Sequence, residues 1–230
     1  MKPNHLVVIP DGNRRWAKKK GLKSWEGYQE GAKVFQETSF NVFEQDIKYF
    51  TFWALSEDNL IKRPKQEISF LLKLIHVGIK EFYKQPWIQE KGVAINFYGN
   101  WRKYFDKKMI LEMKKIQKET SKNTNFYLSV LIAYDGKEEL VSGIKGLIKS
   151  KDTISFENVK KHVWTNILPD VDLVIRTGTE EDPHWSGNLL MFQTGYSQLY
   201  FKSDYWPDFN LKTLKSALTG FEKRERRTGK

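Results

Sequence analysis

The chain has 230 residues, 40% of them hydrophobic and 14% aromatic, with a formal net charge of +11 and no cysteine. That length suits one core, the apolar content excludes a disordered tail, and the absence of thiols excludes disulfides and thiolate metal sites. The positive charge points to an anionic partner, which composition leaves open among nucleic acid, an acidic membrane surface and a phosphorylated small molecule. Much of it is lysine on helix faces, as in Lys18-Lys19-Lys20 and Lys107-Lys108, where a solvated surface is the ordinary explanation.

In chain order, the apolar run Leu6-Val7-Val8-Ile9-Pro10 predicts a first buried strand. Only Met1-Lys2-Pro3-Asn4 precede it, too few for a signal peptide, so the cytoplasm is the expected compartment. Directly after it comes Asp11-Gly12-Asn13-Arg14-Arg15-Trp16. In open α/β sheets ligands gather at the carboxyl ends of strands, and the helix that follows offers free N–H groups to a phosphate. Asp11 as a simple helix cap is the competing explanation, which leaves the two arginines and the tryptophan unaccounted for.

Tyr28, Val34, Phe35 and Phe40 suit a helix, and residues 49–53 a second strand. Past that strand lie Ala54-Leu55-Ser56-Glu57-Asp58-Asn59-Leu60, then Arg63-Pro64 and Glu67. They open a helix whose apolar face is Ile68, Leu71, Leu72, Ile75 and Ile79. Pro64 and Glu67 also make an ordinary helix start, and a cap and a ligand loop can share one backbone. The apolar stretch 70–79 is broken by Lys73 and His76 and is too short to span a bilayer.

Strands over 93–98, 126–133 and 173–175 alternate with helices over 106–120, 136–150, 156–167 and 211–226. Such alternation predicts a single α/β domain over residues 1–230 with a mostly parallel sheet flanked by helices. The strand at 173–175 runs into Arg176-Thr177-Gly178-Thr179-Glu180, so three strand ends carry Arg15, Arg63 and Arg176. Arginine grips phosphate oxygens bidentately, and three of them converging would suit two diphosphates better than one monophosphate. Asp11 is the carboxylate best placed for a metal, and Mg²⁺ is commonly held by one or two carboxylates together with substrate phosphate oxygens.

With these residues in view the chain resembles the cis-prenyltransferases nearly end to end. The resemblance rests on the block from His5 to Ala17, on 54–67, on Ala133-Tyr134-Asp135-Gly136-Lys137-Glu138-Glu139, on 172–180, and on Tyr200-Phe201, Trp206-Pro207-Asp208-Phe209 and Arg224-Glu225-Arg226-Arg227. It implies a hydrophobic tunnel within the α/β fold, a homodimer, and Mg²⁺-dependent condensation of isopentenyl diphosphate with an allylic prenyl diphosphate to give Z double bonds. By this resemblance Asp11 assists the metal and the departing diphosphate, which Gly12, Asn13, Arg14 and Arg15 cradle with Trp16 beside them. Asn59 supports catalysis with Arg63 and Glu67, while Ser56 and Asp58 stand at neighbouring substrate positions. Arg176 holds the isopentenyl diphosphate. The tunnel is expected to be lined by Ala54, Leu55, Leu71, Leu72, Ile75 and Ile79, and the Arg224–Arg227 tail to reach the site across the dimer. Contact with a membrane surface is a further expectation; nucleic acid is not an expected partner, since no recognition module is visible.

The sequence also departs from the family pattern. Tyr28 stands where a histidine is usual, Ser24 where an arginine is, Leu60 where an aromatic is, and Asp58 where a glutamate is, with one extra residue before Arg63. The run Glu181-Asp182-Pro183-His184-Trp185-Ser186-Gly187-Asn188 is longer than usual and lacks the customary arginine. His184 as an imidazolium could replace it at the second diphosphate, with Ser186 and Asn188 nearby, or could be a surface residue; Trp185 suits a lid or simple packing. Gln198 replaces a glutamate that joins the metal site, and its amide offers an oxygen without charge. Because the changes gather on the isopentenyl side, an irregular condensation with an allylic acceptor is the main alternative. A non-catalytic partner subunit is another, which the intact Asp11, Arg14 and Arg15 oppose.

Overall fold

The computed structural model describes residues 2–179, 181, 183–186 and 188–224. Among the described residues six strands, β1 (His5–Ile9), β2 (Tyr49–Ser56), β3 (Val93–Tyr98), β4 (Phe126–Tyr134), β5 (Leu173–Arg176) and β6 (Gln198–Phe201), form one sheet in the order β3-β4-β2-β1-β5-β6. Every pairing is parallel. The helices are α1 (Asn13–Lys19), α2 (Ser24–Glu44), α3 (Glu57–Lys62), α4 (Lys65–Tyr83), α5 (Pro86–Glu90), α6 (Lys107–Thr120), α7 (Gly136–Ser150), α8 (Phe156–His162) and α9 (Leu211–Lys223), with 3₁₀ turns at Trp101–Lys103 and Trp206–Asp208.

A parallel sheet is covered on both faces, and β1 shows why its sequence is a continuous apolar run. Leu6 and Val8 join the apolar cluster on one face and Val7 and Ile9 that on the other, and all of β1 is buried. From β1 the chain passes to β2 on one side and returns much later to β5 on the other. The carboxyl ends of β1 and β5 therefore flank a topological switch point, where a crevice opens in such sheets. Ile9 pairs with Arg176 there, which brings the Asp11 turn and the Arg176 turn together.

The α/β class and the strands expected at 6–10, 49–53, 93–98, 126–133 and 173–175 agree with the fold, and two details are corrected. β6 was not foreseen, since four half-buried residues at a sheet edge leave little periodic signal. The helix expected over 156–167 ends at His162, because Glu139 accepts both the backbone N–H of Thr165 (2.8 Å) and its hydroxyl (2.7 Å) and draws the chain out of helix. The tail from Glu225 onward, to which a role across the dimer was assigned, lies outside the described residues. Among the described residues no helix is long and apolar enough to cross a membrane.

Candidate active site

A cavity of about 370 Å³ opens at the switch point and runs between the sheet, α2 and α4. The charged residues of its lining are Asp11, Arg14, Arg63 and Arg176, joined at the mouth by Asn13, Ser56, Asn59 and Ser186. Its deeper wall is apolar, with Phe35, Phe52, Ala54, Leu55, Leu71 and Ile75 prominent. Trp53, Ala54, Leu55 and Ser56 all face it although a regular strand would turn alternate residues away. Register shifts between β2 and β4 at 53–56 account for this, a bulge that re-aims the strand end beside the site. Of the tunnel residues expected, Leu72 alone is absent from the lining; it packs against the core instead.

Asp11 links the two arginine clusters. Its Oδ1 accepts from Arg15 at 3.0 Å and its Oδ2 from Arg176 at 3.1 Å. Its backbone oxygen accepts from the Thr177 hydroxyl at 2.7 Å and from the Trp206 N–H at 2.9 Å, which anchors the turn to β5 and to the Trp206 segment. Gly12 has φ +104°, and a Cβ there would sit 2.5 Å from the Tyr205 ring, so only glycine fits. Asn13 closes the turn by donating to the Pro10 carbonyl at 3.0 Å. Arg15 also donates to the Gly178 carbonyl at 2.9 Å and lies over the Tyr205 ring. Trp16 is buried on the far side, where its Nε1 donates to Asp208 at 2.7 Å; it supports α1 and does not line the cavity.

Arg176 is buried, and its Nη1 donates to the Ser186 hydroxyl at 2.8 Å. Its Nη2 lies 2.7 Å from His184 Nε2. A guanidinium has no acceptor, so the imidazole nitrogen accepts and carries no proton there. In this arrangement His184 satisfies the arginine that would grip the second diphosphate. Asn188 donates to Asp135 at 3.1 Å and takes no part in the lining.

On the opposite wall the Tyr28 hydroxyl donates to Glu67 at 2.5 Å and accepts from Arg63 at 3.0 Å, while Arg63 lies 3.4 Å from Glu67. Burial, and then the bond to Glu67, push the Tyr28 hydroxyl well above its ordinary pKa, so it keeps its proton. Where the family usually has histidine, this chain therefore has a neutral hydroxyl that orients an arginine. Ser56 caps α3 by accepting from the Asn59 N–H at 3.2 Å. Asp58 is exposed and paired with Lys62 at 2.7 Å, and Ser24 begins α2 outside the cavity, so neither of these expected substrate residues is brought to it.

Gln198 is not brought to Asp11 within one chain. It opens β6 opposite Leu173, about 10 Å back along the strands from Arg176 at ~3.3 Å per residue. Its Oε1 is buried without a hydrogen-bond partner. Among the described residues no three His, Asp or Glu side chains gather as a metal cage. A single mouth carboxylate fits a cation that arrives with a diphosphate and takes most of its oxygens from it.

A polar mouth with three arginines over an apolar tunnel defines a site for an amphiphile with an anionic head, at the switch point of an α/β enzyme. Residues 9–229 match the family model described as putative undecaprenyl diphosphate synthase. An isoprenyl transferase of Fusobacterium nucleatum is 37% identical over 99% of this chain and 96% of its own length. A tritrans,polycis-undecaprenyl-diphosphate synthase of Pyrococcus abyssi, geranylgeranyl-diphosphate specific, is 33% identical over 99% and 87%. Among solved structures, lavandulyl diphosphate synthase from Lavandula x intermedia in complex with dimethylallyl diphosphate superposes with a TM-score of 0.91 at 25% identity, covering 100% of this chain and 99% of that one. The chain belongs to the undecaprenyl diphosphate synthase family and is a cis-prenyltransferase. Enzymes of this family condense isopentenyl diphosphate with an allylic diphosphate to give cis-prenyl products.

Proposed function

We propose that the cavity holds an allylic prenyl diphosphate on the Asp11–Arg15 turn and isopentenyl diphosphate on Arg176 and Ser186, as parts of a homodimer. One observation carries this reading. Arg63 is half-buried and Arg176 buried at the mouth, and the buried Nε–H of each has no partner among the described residues. Buried polar groups are nearly always paired, so two arginines with unpaired donors beside one cavity suit an anionic ligand. Asp11 would hold Mg²⁺, which when bound neutralises charge on the leaving diphosphate. The allylic C–O bond breaks, the acceptor's double bond supplies the electrons of the new C–C bond, and a proton is lost from the acceptor. Arg14 and Arg15 stabilise the departing diphosphate, while Phe35, Phe52 and Leu55 keep water from the allylic cation. Each methylene drawn into the tunnel contributes about 0.8 kcal/mol, which favours threading the lengthening chain inward.

The test is incubation with labelled isopentenyl diphosphate, an allylic diphosphate and Mg²⁺, with products identified by mass and NMR. Regular Z-prenyl diphosphates are expected. The altered loop beyond Arg176 and the likeness to lavandulyl diphosphate synthase favour a second reading, in which two allylic diphosphates are coupled; a branched product from an allylic diphosphate alone would establish it.

Chain length offers a separate test. Gly78 lines the cavity, and a Cβ built there meets nothing within 4 Å. Gly78→Leu should therefore project a side chain into the tunnel and shorten the product while leaving the first condensation intact. It should also stabilise α4, since glycine costs about 0.8–1.0 kcal/mol against alanine within a helix. An unchanged product distribution would place the growing chain elsewhere.

A further inference from the structure

Glu57, the first residue of α3, is a buried carboxylate outside the cavity lining, and no step of the proposed reaction uses it. Its Oε2 accepts from Asn100 Nδ2 at 2.9 Å and its Oε1 from the Tyr104 hydroxyl at 2.9 Å, with Lys103 Nζ at 3.6 Å. Three residues of one short loop after β3 thus converge on a single side chain.

That loop is fixed to the sheet. Asn100 N–H donates to the Ala133 carbonyl at 3.0 Å, and Trp101 is fully buried. Gly99 has φ +113°, and a Cβ there would lie 2.2 Å from the Ile132 carbonyl oxygen. α3 is the opposite case. Six residues cannot sustain a helix alone, and Ile61 on it is 71% exposed. Its placement depends on two buried contacts, Leu60 in the apolar cluster with Tyr28 and Leu71, and Glu57 in the polar one. On the same short segment Asn59 and Arg63 line the cavity mouth.

We propose that Glu57 is a positioning residue, clamping α3 to the 99–104 loop so that Asn59 and Arg63 are held at the mouth where the diphosphates bind. Burial and the bond to Glu57 push the Tyr104 hydroxyl up to about 12, so the clamp's donor stays protonated throughout the neutral range. The inference rests on the reading of this mouth as a diphosphate site, and its test contains an arm that does not.

Tyr104→Phe keeps the ring and removes the donor, and Glu57→Gln keeps the shape and removes the charge. A hydrogen bond to a charged group lost from a buried site corresponds to about a tenfold effect or more. Each variant should lower kcat/KM about tenfold, and the double variant should lose little beyond the worse single, because both remove one clamp. In the ligand-free protein, tryptic cleavage after the exposed Lys62 should accelerate selectively by a similar factor while other sites keep their rates. This arm needs no turnover, so it decides the clamp even if the chain proves to use other substrates. Unchanged cleavage at Lys62 in both variants would overturn the proposal. Faster cleavage with wild-type kinetics would show a merely structural contact and overturn it too, as would uniform acceleration at all sites. Should Glu57→Gln fail to fold, Tyr104→Phe and Asn100→Ala decide by the same measurements.

Discussion

Asp11→Ala is expected to cut turnover by about 10²–10³-fold or more, on the scale of removing one preorganised electrostatic group from a reacting centre. Two separate effects combine in this one side chain. It is the cavity's only lining carboxylate among the described residues, hence the group that would hold Mg²⁺. It also spans Arg15 and Arg176, so it fixes the spacing of the two guanidinium groups before substrate arrives. Arriving diphosphates would exchange carboxylate contacts for phosphate oxygens without moving the arginines far. The fold should survive, because the Arg15 pair is exposed and such pairs contribute about 0–1 kcal/mol, while Arg176 keeps Ser186 and His184. Circular dichroism and a thermal melt would check the fold, and single-turnover rates across a Mg²⁺ series the chemistry. Near-normal rates at saturating Mg²⁺ would remove Asp11 from the mechanism.

Arg176→Ala should weaken the acceptor diphosphate by roughly ten- to hundredfold, the equivalent of about 1.5–3 kcal/mol for a charged hydrogen-bonding contact. The allylic diphosphate should be far less affected, whereas Arg15→Ala should show the reverse preference. Arg176 sits at the end of β5 with Ser186 and His184 beside it, while Arg15 belongs to α1. Arg176→Lys should not restore affinity, since a lysine carries a point charge and cannot reproduce the planar fork. Equal defects for both substrates in Arg15→Ala and Arg176→Ala, measured by separate titrations, would refute the two-site arrangement.

Much of the site could be seen in the residues themselves because its organising feature is local. A polar cluster directly after an apolar strand run is visible at Asp11, at Ser56 and at Arg176, and parallel α/β topology brings strand ends together whatever the details. The apolar face of α4 was equally visible, since a 3.6-residue period needs no knowledge of the partner surface. Other features had no such signature. Glu57 looked like one polar residue among several before Arg63, and its partners lie more than forty positions away. Tyr28 and Glu67 are 39 positions apart, so a hydroxyl in place of a histidine could be noticed but not interpreted.

The sequence by itself determined the class of fold, the strand ends that carry arginine, the position of Asp11 and the family, because strand periodicity, turn residues and ordered motifs are properties of neighbouring residues. Tertiary structure alone decided which of those residues meet. It turned Leu72 into the core, left Asp58 and Ser24 in solvent or at a helix start, placed Gln198 at the beginning of an unforeseen edge strand, and seated His184 on Arg176. The physical reason is that register along a sheet and docking between helices are set by the summed burial of many distant side chains. A single residue type carries no record of the neighbours those sums select.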